Sequence, residues 1–217
     1  MPDIHFQELM LAAVPLIFAI TVHEVAHGWV AKLLGDATAA SLGRLTLNPI
    51  KHIDPIGTIL VPFTLVLLGS KPIGWAKPVP VNWQNLHNPK RDMIFVALAG
   101  PAANLLMALA WLCVALLVVE TLTRTSDLFF LYTMAFYGVF VNILLMILNL
   151  LPILPLDGGR VLAGLLPDRA AYQYSRLEPI GLILVIGLFV SGYLGPILLS
   201  PVSQITSFLY HMAGLPQ

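Results

Sequence analysis

The sequence predicts an all-α protein that crosses a membrane several times. Of its 217 residues, 58% are hydrophobic and only 10% are charged, and the mean hydropathy is +0.87. A soluble domain carries about 25% charged residues, and a chain of this length cannot bury so much apolar surface within itself. The apolar residues also cluster in four runs of about 20 residues, the length that a helix needs to cross roughly 30 Å of hydrocarbon. The solvent for much of this chain is therefore lipid.

The four apolar runs are the predicted transmembrane helices. They comprise residues 8–34, 93–119, 129–151 and 179–200. A fifth run, residues 56–69, has 14 residues. That length favours a re-entrant or interfacial segment over a full crossing. The sequence leaves open whether residues 202–213 form a short helix on the membrane surface or a further crossing.

Residues 35–92 differ in composition from the helices on either side. Twelve glycine and proline residues interrupt this stretch, so it cannot form a long helix. Two short β-prone segments remain, residues 45–47 and 79–81. We expect loops with a small sheet here, partly sunk into the membrane. Because the sequence has no internal repeat, residues 1–217 are predicted to form a single domain.

The basic residues predict how the helices are oriented. If residues 56–69 do not cross the membrane, ten of the eleven Lys and Arg residues fall on one side, and Arg124 falls on the other. Basic residues are enriched on the cytoplasmic side of membrane proteins. That side is therefore predicted to be cytoplasmic, with the N-terminus outside. The formal net charge is zero, which gives no indication of nucleic-acid binding.

A metal-binding motif lies inside the first predicted helix. His23 and His27 are four residues apart, so both imidazoles lie on one helix face and can reach one ion. Glu24 between them is placed to act as a base on a metal-bound water. The alternative is that these side chains only satisfy one another inside a helix bundle. Ionisable residues within a span are costly and usually functional, which favours the metal site.

A catalytic zinc site takes three protein ligands and one water, so a third ligand is expected outside the motif. The best candidate is Asp157, in the segment NLLPILPLDGGR that follows the third predicted helix. The prolines of this segment break the helix, and we expect the chain to run extended and then to turn at Gly158 and Gly159. A plain Asp-Gly turn is the alternative. The three ligands can meet only if the first and third helices run in the same direction, which requires that residues 56–69 do not cross.

Three further polar residues are candidates for secondary roles. Asn104 closes the segment AGPAAN, near the predicted depth of the metal, where it is expected to donate a hydrogen bond to a substrate carbonyl or its oxyanion. The alternative is that it joins two helices. His52 and Asp54 are compatible with the mouth of the site or with the metal, but a backbone hydrogen bond and a turn cap explain them more simply.

The three segments HEVAH, AGPAAN and NLLPILPLDGGR, in this order, resemble the site-2 protease family (M50-type intramembrane zinc metalloproteases). The resemblance covers about residues 8–165 and looks most like a compact bacterial subgroup without PDZ or CBS domains. It implies that His23, His27 and Asp157 bind one Zn²⁺ per chain and that Glu24 is the catalytic base. It also implies that Asn104 aids substrate or transition-state binding.

The same resemblance implies a biological setting. We expect an integral protein of the bacterial inner membrane, with its active site toward the cytoplasmic side. Its substrate would be a single-pass membrane protein, often trimmed first by another protease, as in regulated intramembrane proteolysis. The substrate would be locally extended and held by strand addition along residues 40–82.

A binding protein is the alternative to an enzyme. The chain would then be a catalytically silent membrane scaffold that keeps zinc for stability. Glu24 argues against this interpretation, because a structural zinc site needs no base. A closed structural site would also have four protein ligands. The sequence therefore favours metal-assisted hydrolysis of a peptide bond.

Overall fold

The computed structural model describes residues 5–60, 63–64, 67, 74–121 and 129–215. Within these ranges it consists of helices joined by irregular segments and contains no β-strand. The α-helices are α1 (His5–Leu33), α2 (Thr38–Ser41), α3 (Pro89–Thr121), α4 (Phe129–Asn149), α5 (Asp157–Leu165), α6 (Asp168–Ser175), α7 (Glu178–Val190) and α8 (Leu194–Met212). Short 3₁₀ segments lie at Pro49–His52 and Trp83–Asn85, and a π-helical segment lies at Pro55–Leu60. The predicted all-α class is confirmed.

Three of the described helices are long and apolar enough to span a membrane. They are Leu11–Leu33 within α1, Pro89–Val119 within α3, and α4. Helices α6 and α7 meet at 55° across a short break, and together they are apolar enough for a broken fourth span or a re-entrant loop. The first three agree closely with the predicted helices at 8–34, 93–119 and 129–151. The chain is therefore an integral membrane protein.

The predicted helix over residues 179–200 is in fact two helices. α7 ends and α8 begins around Gly192, whose φ of +79° is a conformation that interrupts a helix. The short helix expected at residues 202–213 is the second half of the longer α8. This helix packs against α4, and its residues Val202 and Tyr210 belong to the same buried cluster as side chains of α3 and α4. The position of α8 therefore follows from its packing against α4, which the hydropathy of the sequence does not predict.

Helix α3 runs antiparallel to α1 and to α4. From His23 to His27 along α1, the hydrogen-bond partner on α3 moves back from Asn104 to Val96. The contacts between α3 and α4 show the same reversal, because Asn104 meets Asn142 and the later Trp111 meets the earlier Gly138. α1 and α4 are therefore parallel, as the predicted metal site requires. Small residues, which allow close helix approach in lipid, lie buried in the α3–α4 contact: Ala108, Ala115, Ala135 and Gly138.

The two ends of the connection between α1 and α3 lie next to each other. The N–H of His87 donates to the carbonyl oxygen of Leu34 at 2.9 Å, which joins the two ends of the connection. Since the ends meet, the connection makes no net crossing between the two antiparallel helices. Of the run 56–69, residues 56–60, 63–64 and 67 are described. The predicted path of this run into and out of the membrane otherwise lies outside the described residues.

The small sheet predicted within residues 35–92 is not formed in the described part of this stretch. Residues 45–47 and 79–81 are irregular, and no strand pairing joins them in the described structure. Both prolines beside Val79 lack an N–H, and Val79 donates its own N–H to the side chain of Glu24. The residues just before the two segments are joined instead, because Arg44 donates to the carbonyl oxygens of Lys77 and Pro78 at 3.0 and 3.3 Å.

Candidate metal centre

Side chains from α1 and from the start of α5 converge on one point. Nε2 of His23 lies 3.0 Å from Nε2 of His27, and Oδ2 of Asp157 lies 3.2 and 3.4 Å from these two nitrogens. Two ligand atoms about 2.0–2.1 Å from a tetrahedral zinc ion are about 3.3–3.4 Å apart. Within the described residues this is the one group of three or more His, Cys, Asp or Glu side chains close enough to hold a metal. The separations fit zinc with a fourth position left open.

The hydrogen-bond partner of Nδ1 in each imidazole determines whether Nε2 can bind a metal. Nδ1 of His27 lies 2.7 Å from the carbonyl oxygen of Val96, and Nδ1 of His23 lies 2.6 Å from Oδ1 of Asn104. Because these oxygens only accept, each Nδ1 donates its hydrogen to them, and in a neutral imidazole this leaves the lone pair on Nε2 for a metal.

Asp157 adds a third acceptor to these two nitrogens. Its Oδ2 is buried and accepts no hydrogen bond from the described residues. Three acceptor atoms, each within 3.4 Å of the others, therefore face one another. Such an arrangement is repulsive by itself and becomes favourable when a cation binds among the three atoms. The donor set of two imidazoles and one carboxylate is one that zinc accepts.

Asp157 reaches this point from the first turn of a helix. We expected a turn at Gly158 and Gly159, but both are buried in the first turn of α5, which begins at Asp157. The expected break is present, because α4 ends before the proline-containing segment and the chain is irregular until α5 begins. A carboxylate in the first turn of a helix interacts favourably with the helix dipole. The helix start, rather than a turn, therefore presents Asp157.

Gly100 allows α3 to lie directly against both imidazoles. A Cβ placed on Gly100 would lie 2.5 Å from Cε1 of His23 and 2.5 Å from Nε2 of His27. These distances are far shorter than a van der Waals contact, so any larger residue would displace the ring atoms. A small residue of the AGPAAN segment thus allows the close approach of α3 to α1.

Glu24 lies in the same cleft and is held by the backbone. Its Oε2 accepts a hydrogen bond of 2.7 Å from the N–H of Val79. Glu24 lines a cleft of about 330 Å³ together with His23, His27 and Asp157. It is not among the converging ligand atoms. A carboxylate placed beside a metal group, but outside it, is suited to proton transfer.

Arg160 is the cationic side chain among the described residues that line this cleft. It lies one helical turn after Asp157 on α5, so the two side chains share a face. Its guanidinium carbon lies 5.4 Å from the centre of the Trp83 ring, and Nη2 lies 3.5 Å from Oε1 of Glu178. The guanidinium is therefore held at the wall of the cleft by partners from two other parts of the chain.

Asn104 lies behind His23 rather than in the cleft. It is fully buried, and its Oδ1 accepts from Nδ1 of His23. Its Nδ2 donates to Oδ1 of Asn142 at 3.0 Å and to the carbonyl oxygen of Ala19 at 3.4 Å. Since both amide hydrogens are used inside the protein, this geometry gives no support to the predicted hydrogen bond to substrate. The hydrogen bonds of Asn104 in this structure join helices, and its role toward the substrate stays a prediction.

His52 and Asp54 take the simpler roles that the sequence favoured. Nε2 of His52 lies 2.9 Å from the carbonyl oxygen of Thr46. Oδ1 of Asp54 accepts from the N–H groups of Ile56 and Gly57 at 2.9 and 2.7 Å, capping the segment that follows. Neither residue belongs to the group of candidate metal ligands.

Comparison with known proteins identifies the family. A family model described as Peptidase family M50 matches residues 119–191. A protein of Bacillus subtilis (strain 168) named "Putative zinc metalloprotease YwhC" is 37% identical over 180 residues, which cover 82% of this chain and 79% of the relative. This chain belongs to the M50 family, the site-2 protease family of zinc metalloproteases. The M50 protein therefore uses Zn²⁺, and His23, His27 and Asp157 are close enough to hold it.

Two mycobacterial relatives carry the name "Putative zinc metalloprotease Rip2". The one from Mycolicibacterium smegmatis is 30% identical over 180 residues, covering 81% of the M50 protein and 64% of the relative. The one from Mycobacterium tuberculosis H37Rv is 26% identical over 175 residues, with the same coverage of 81% and 64%. The M50 protein thus spans just under two thirds of the length of the Rip2 proteins. No solved structure matches it.

Three partners of the site were not predicted from the sequence. Val96 and Val79 contribute through their backbone, a carbonyl to His27 and an N–H to Glu24, and backbone contacts leave no signal in residue type. Asn142 did carry a signal, because a polar residue inside an apolar span needs a partner.

Proposed function

We propose that this M50 protein is an endopeptidase that cuts single-pass membrane proteins within or next to the bilayer. The observation that carries the proposal is the convergence of His23, His27 and Asp157 on one point, with Glu24 in the same cleft. His27 lies six residues before the end of the apolar segment Leu11–Leu33, and His23 lies four residues deeper. At 1.5 Å per residue, the site is about 9–15 Å from the end of that apolar segment, which supports cleavage at the depth of the hydrocarbon.

His23, His27 and Asp157 are the proposed ligands of one zinc ion per chain. Zinc, when bound, supplies a Lewis acid and lowers the pKa of a coordinated water to about 7. Glu24 takes a proton from the attacking water and delivers it to the leaving amine. The Val79 N–H restrains the Glu24 carboxylate on the side of the cleft where this transfer takes place.

The substrate must be locally extended when it is cut, because a peptide bond inside a helix is shielded by its neighbours. The irregular segment at residues 79–81 lines the cleft through Val79 and Val81, and Asp157 and Arg160 of α5 line the same cleft. We propose that an unwound stretch of substrate lies along this segment, which replaces the small sheet that the sequence predicted as the binding edge.

We further propose a location in the bacterial inner membrane, with the N-terminus outside and the site toward the cytoplasm. Ten of the eleven basic residues support this orientation, and so does the contact between Leu34 and His87 that returns the α1–α3 connection to its starting side. Regulated proteolysis of a substrate first trimmed by another protease belongs to the same proposal, as does a single functional domain over residues 1–217.

The decisive experiment compares wild type with Glu24→Gln in liposomes that contain a model single-pass substrate. Glu24→Gln should keep about one zinc per chain and cut at least about 100-fold more slowly, since a general base contributes about 10²–10⁴-fold. Glu178→Gln is the matched control, because Glu178 is half exposed and pairs with Arg160 outside the metal group. It should retain zinc and most of the activity.

The same assay distinguishes the proposed function from its alternatives. His23→Ala, His27→Ala and Asp157→Ala should each lower the zinc content as well as the activity. Substantial cleavage by Glu24→Gln would contradict the role of Glu24 as base. Zinc-loaded wild type that cuts extended soluble peptides but no membrane substrate would contradict intramembrane action. Wild type that binds zinc and cuts neither would indicate the silent scaffold.

A further inference from the structure

Two buried asparagines connect the imidazole of His23 to the middle of α4. Nδ1 of His23 lies 2.6 Å from Oδ1 of Asn104, and Nδ2 of Asn104 lies 3.0 Å from Oδ1 of Asn142. Nδ2 of Asn142 in turn lies 2.8 Å from the carbonyl oxygen of Gly138, four residues earlier on α4. Both asparagines are 0% exposed. A continuous series of hydrogen bonds thus crosses from α4 through α3 to α1.

The far end of this series determines the direction of every hydrogen bond in it. The carbonyl of Gly138 can only accept, so Asn142 turns its NH₂ group toward Gly138 and its oxygen toward Asn104. Asn104 must then present its NH₂ group to Asn142, which leaves its oxygen for His23. The carbonyl of Ala19, 3.4 Å from Nδ2 of Asn104, enforces the same orientation, because the reversed amide would place oxygen against oxygen.

We propose that Asn142 is a positioning residue of the zinc site. Acting through Asn104, it holds His23 as the Nδ1–H tautomer, so that the Nε2 lone pair faces His27 and Asp157. The inference rests on the proposed role of His23 as a zinc ligand. His27 obtains the same orientation directly, from the backbone carbonyl of Val96. His23 has a side-chain acceptor instead, and a side-chain amide must itself be oriented by a further partner.

Burial strengthens the effect of this series of hydrogen bonds on His23. With both asparagines at 0% exposure, bulk water does not reach their hydrogen bonds, and an unpaired buried amide is costly. Once Asn142 is lost, the amide of Asn104 retains only the 3.4 Å contact to Ala19 as a guide to its orientation. The reversed amide would accept from neither neighbour and would donate toward His23, which favours the Nε2–H tautomer and places a hydrogen where zinc binds. Such a change should weaken zinc binding without removing a ligand.

The first test uses zinc-free protein, so it does not depend on catalysis. In ¹⁵N-histidine-labelled protein in nanodiscs, with His23 assigned through His23→Gln, the nitrogen spectrum should show protonated Nδ1 and unprotonated Nε2. In Asn142→Leu the Nδ1–H fraction should fall. A wild-type His23 protonated at Nε2 would overturn the proposal, and so would a tautomer that Asn142→Leu leaves unchanged. If Asn142→Leu does not fold, the wild-type spectrum alone still tests the proposal.

The second test measures zinc affinity by competition with a chromophoric chelator. Asn104→Leu should weaken binding by about 10–100-fold, the usual cost of losing a partner of a metal-ligating histidine. Asn142→Leu should weaken it by a smaller factor, and the double variant should be no worse than Asn104→Leu, since Asn142 acts only through Asn104. If the double variant loses zinc affinity by the product of the two single factors, the proposed series is refuted.

Two further variants separate positioning from general helix stability. Asn142→Ser retains a donor for the carbonyl of Gly138 but is too short to reach Asn104, so it should weaken zinc binding as Asn142→Leu does. Thr133→Val removes a hydrogen bond of the same kind on α4, from Oγ1 of Thr133 to the carbonyl of Phe129 at 2.9 Å. It should keep wild-type zinc affinity. An equal loss in Thr133→Val would mean that zinc binding responds to any weakening of α4, and Asn142 would have no special role.

Discussion

The N–H of Val79 donates a hydrogen bond of 2.7 Å to Oε2 of Glu24. This contact ties the candidate base on α1 to an irregular segment more than 50 residues later in the chain. Val79 lies between two prolines, and a residue before proline favours the extended conformation. The backbone that restrains Glu24 is thus itself restrained by its neighbours.

Replacing Val79 by proline should therefore slow cleavage without removing zinc. Proline fits an extended backbone but has no N–H to donate. A hydrogen bond to a charged group contributes about 1.5–3 kcal/mol, so kcat should fall about tenfold or more. Cleavage rates and zinc content, measured on the same preparation, check the prediction. Val79→Ala is the control, because it trims the side chain and keeps the N–H; equal losses in the two variants would assign the effect to the side chain.

Gly100→Ala should disrupt the metal group. The added Cβ would lie 2.5 Å from atoms of both His23 and His27, so the imidazoles or α3 must move. We expect zinc affinity to fall by at least about tenfold, as for other losses of ligand orientation. Equilibrium dialysis with zinc measures the change.

The control for this variant is the same substitution on another helix. A Cβ on Gly187 of α7 would meet no described atom within 4 Å outside the backbone of its own helix. Gly187→Ala should therefore keep zinc affinity and stabilise the protein slightly, by about 0.4–1 kcal/mol, because alanine loses less conformational entropy in a helix. If Gly100→Ala binds zinc as well as Gly187→Ala does, α3 is not in contact with the site.

Asp36 should make the connection between α1 and α3 sensitive to acid. Burial alone would raise the pKa of its carboxyl, but hydrogen bonds from Thr38, Asn85 and the Asn82 backbone outweigh burial and lower the pKa below its usual value. A depressed pKa stabilises the folded state above the unfolded value of about 3.9, and this stability is lost as the pH falls through the folded pKa.

The measurement is a comparison of melting temperatures for zinc-free wild type and Asp36→Asn in detergent. Wild type should be more stable near neutral pH, because asparagine cannot accept from all of these donors. The difference should stay constant down to about pH 4–5 and shrink below it. A difference that widens toward acid pH would show that the carboxyl is neutral in the folded protein.

The contact between Leu34 and His87 predicts that both ends of the α1–α3 connection lie on one side of the membrane. Single cysteines at Ser41, Gln84 and Ser126, in a Cys113→Ala background, test this with an impermeant reagent. Ser126, which lies outside the described residues, should label in intact cells, whereas Ser41 and Gln84 should label only after permeabilisation. Labelling of Gln84 without Ser41 in intact cells would show that the run at residues 56–69 crosses.

Much of the membrane scaffold was predictable because the bilayer imposes its thickness on the chain. The apolar runs at 8–34, 93–119 and 129–151 correspond to α1, α3 and α4. The run at 179–200 was misread, since hydropathy does not register a break such as the one at Gly192, where a single backbone conformation ends the helix. The expected sheet failed for a related reason: β-propensity describes residues, whereas pairing needs free N–H groups.

The sequence by itself determined which atoms are available for the chemistry. The spacing of His23 and His27 places both rings on one helix face because the helix repeats every 3.6 residues. The prolines before Asp157 end α4 because they lack an N–H. Both consequences are local, so residue type and spacing suffice to derive them.

Only the tertiary structure decided how those atoms are presented. Nδ1 of His23 meets Asn104 of another helix, which in turn meets Asn142 of a third, and the carboxylate of Glu24 accepts from a backbone N–H far along the chain. The direction of a hydrogen bond follows from which groups meet in space. A backbone carbonyl or N–H is the same at nearly every residue, and it acquires a role only when folding brings it to a particular side chain.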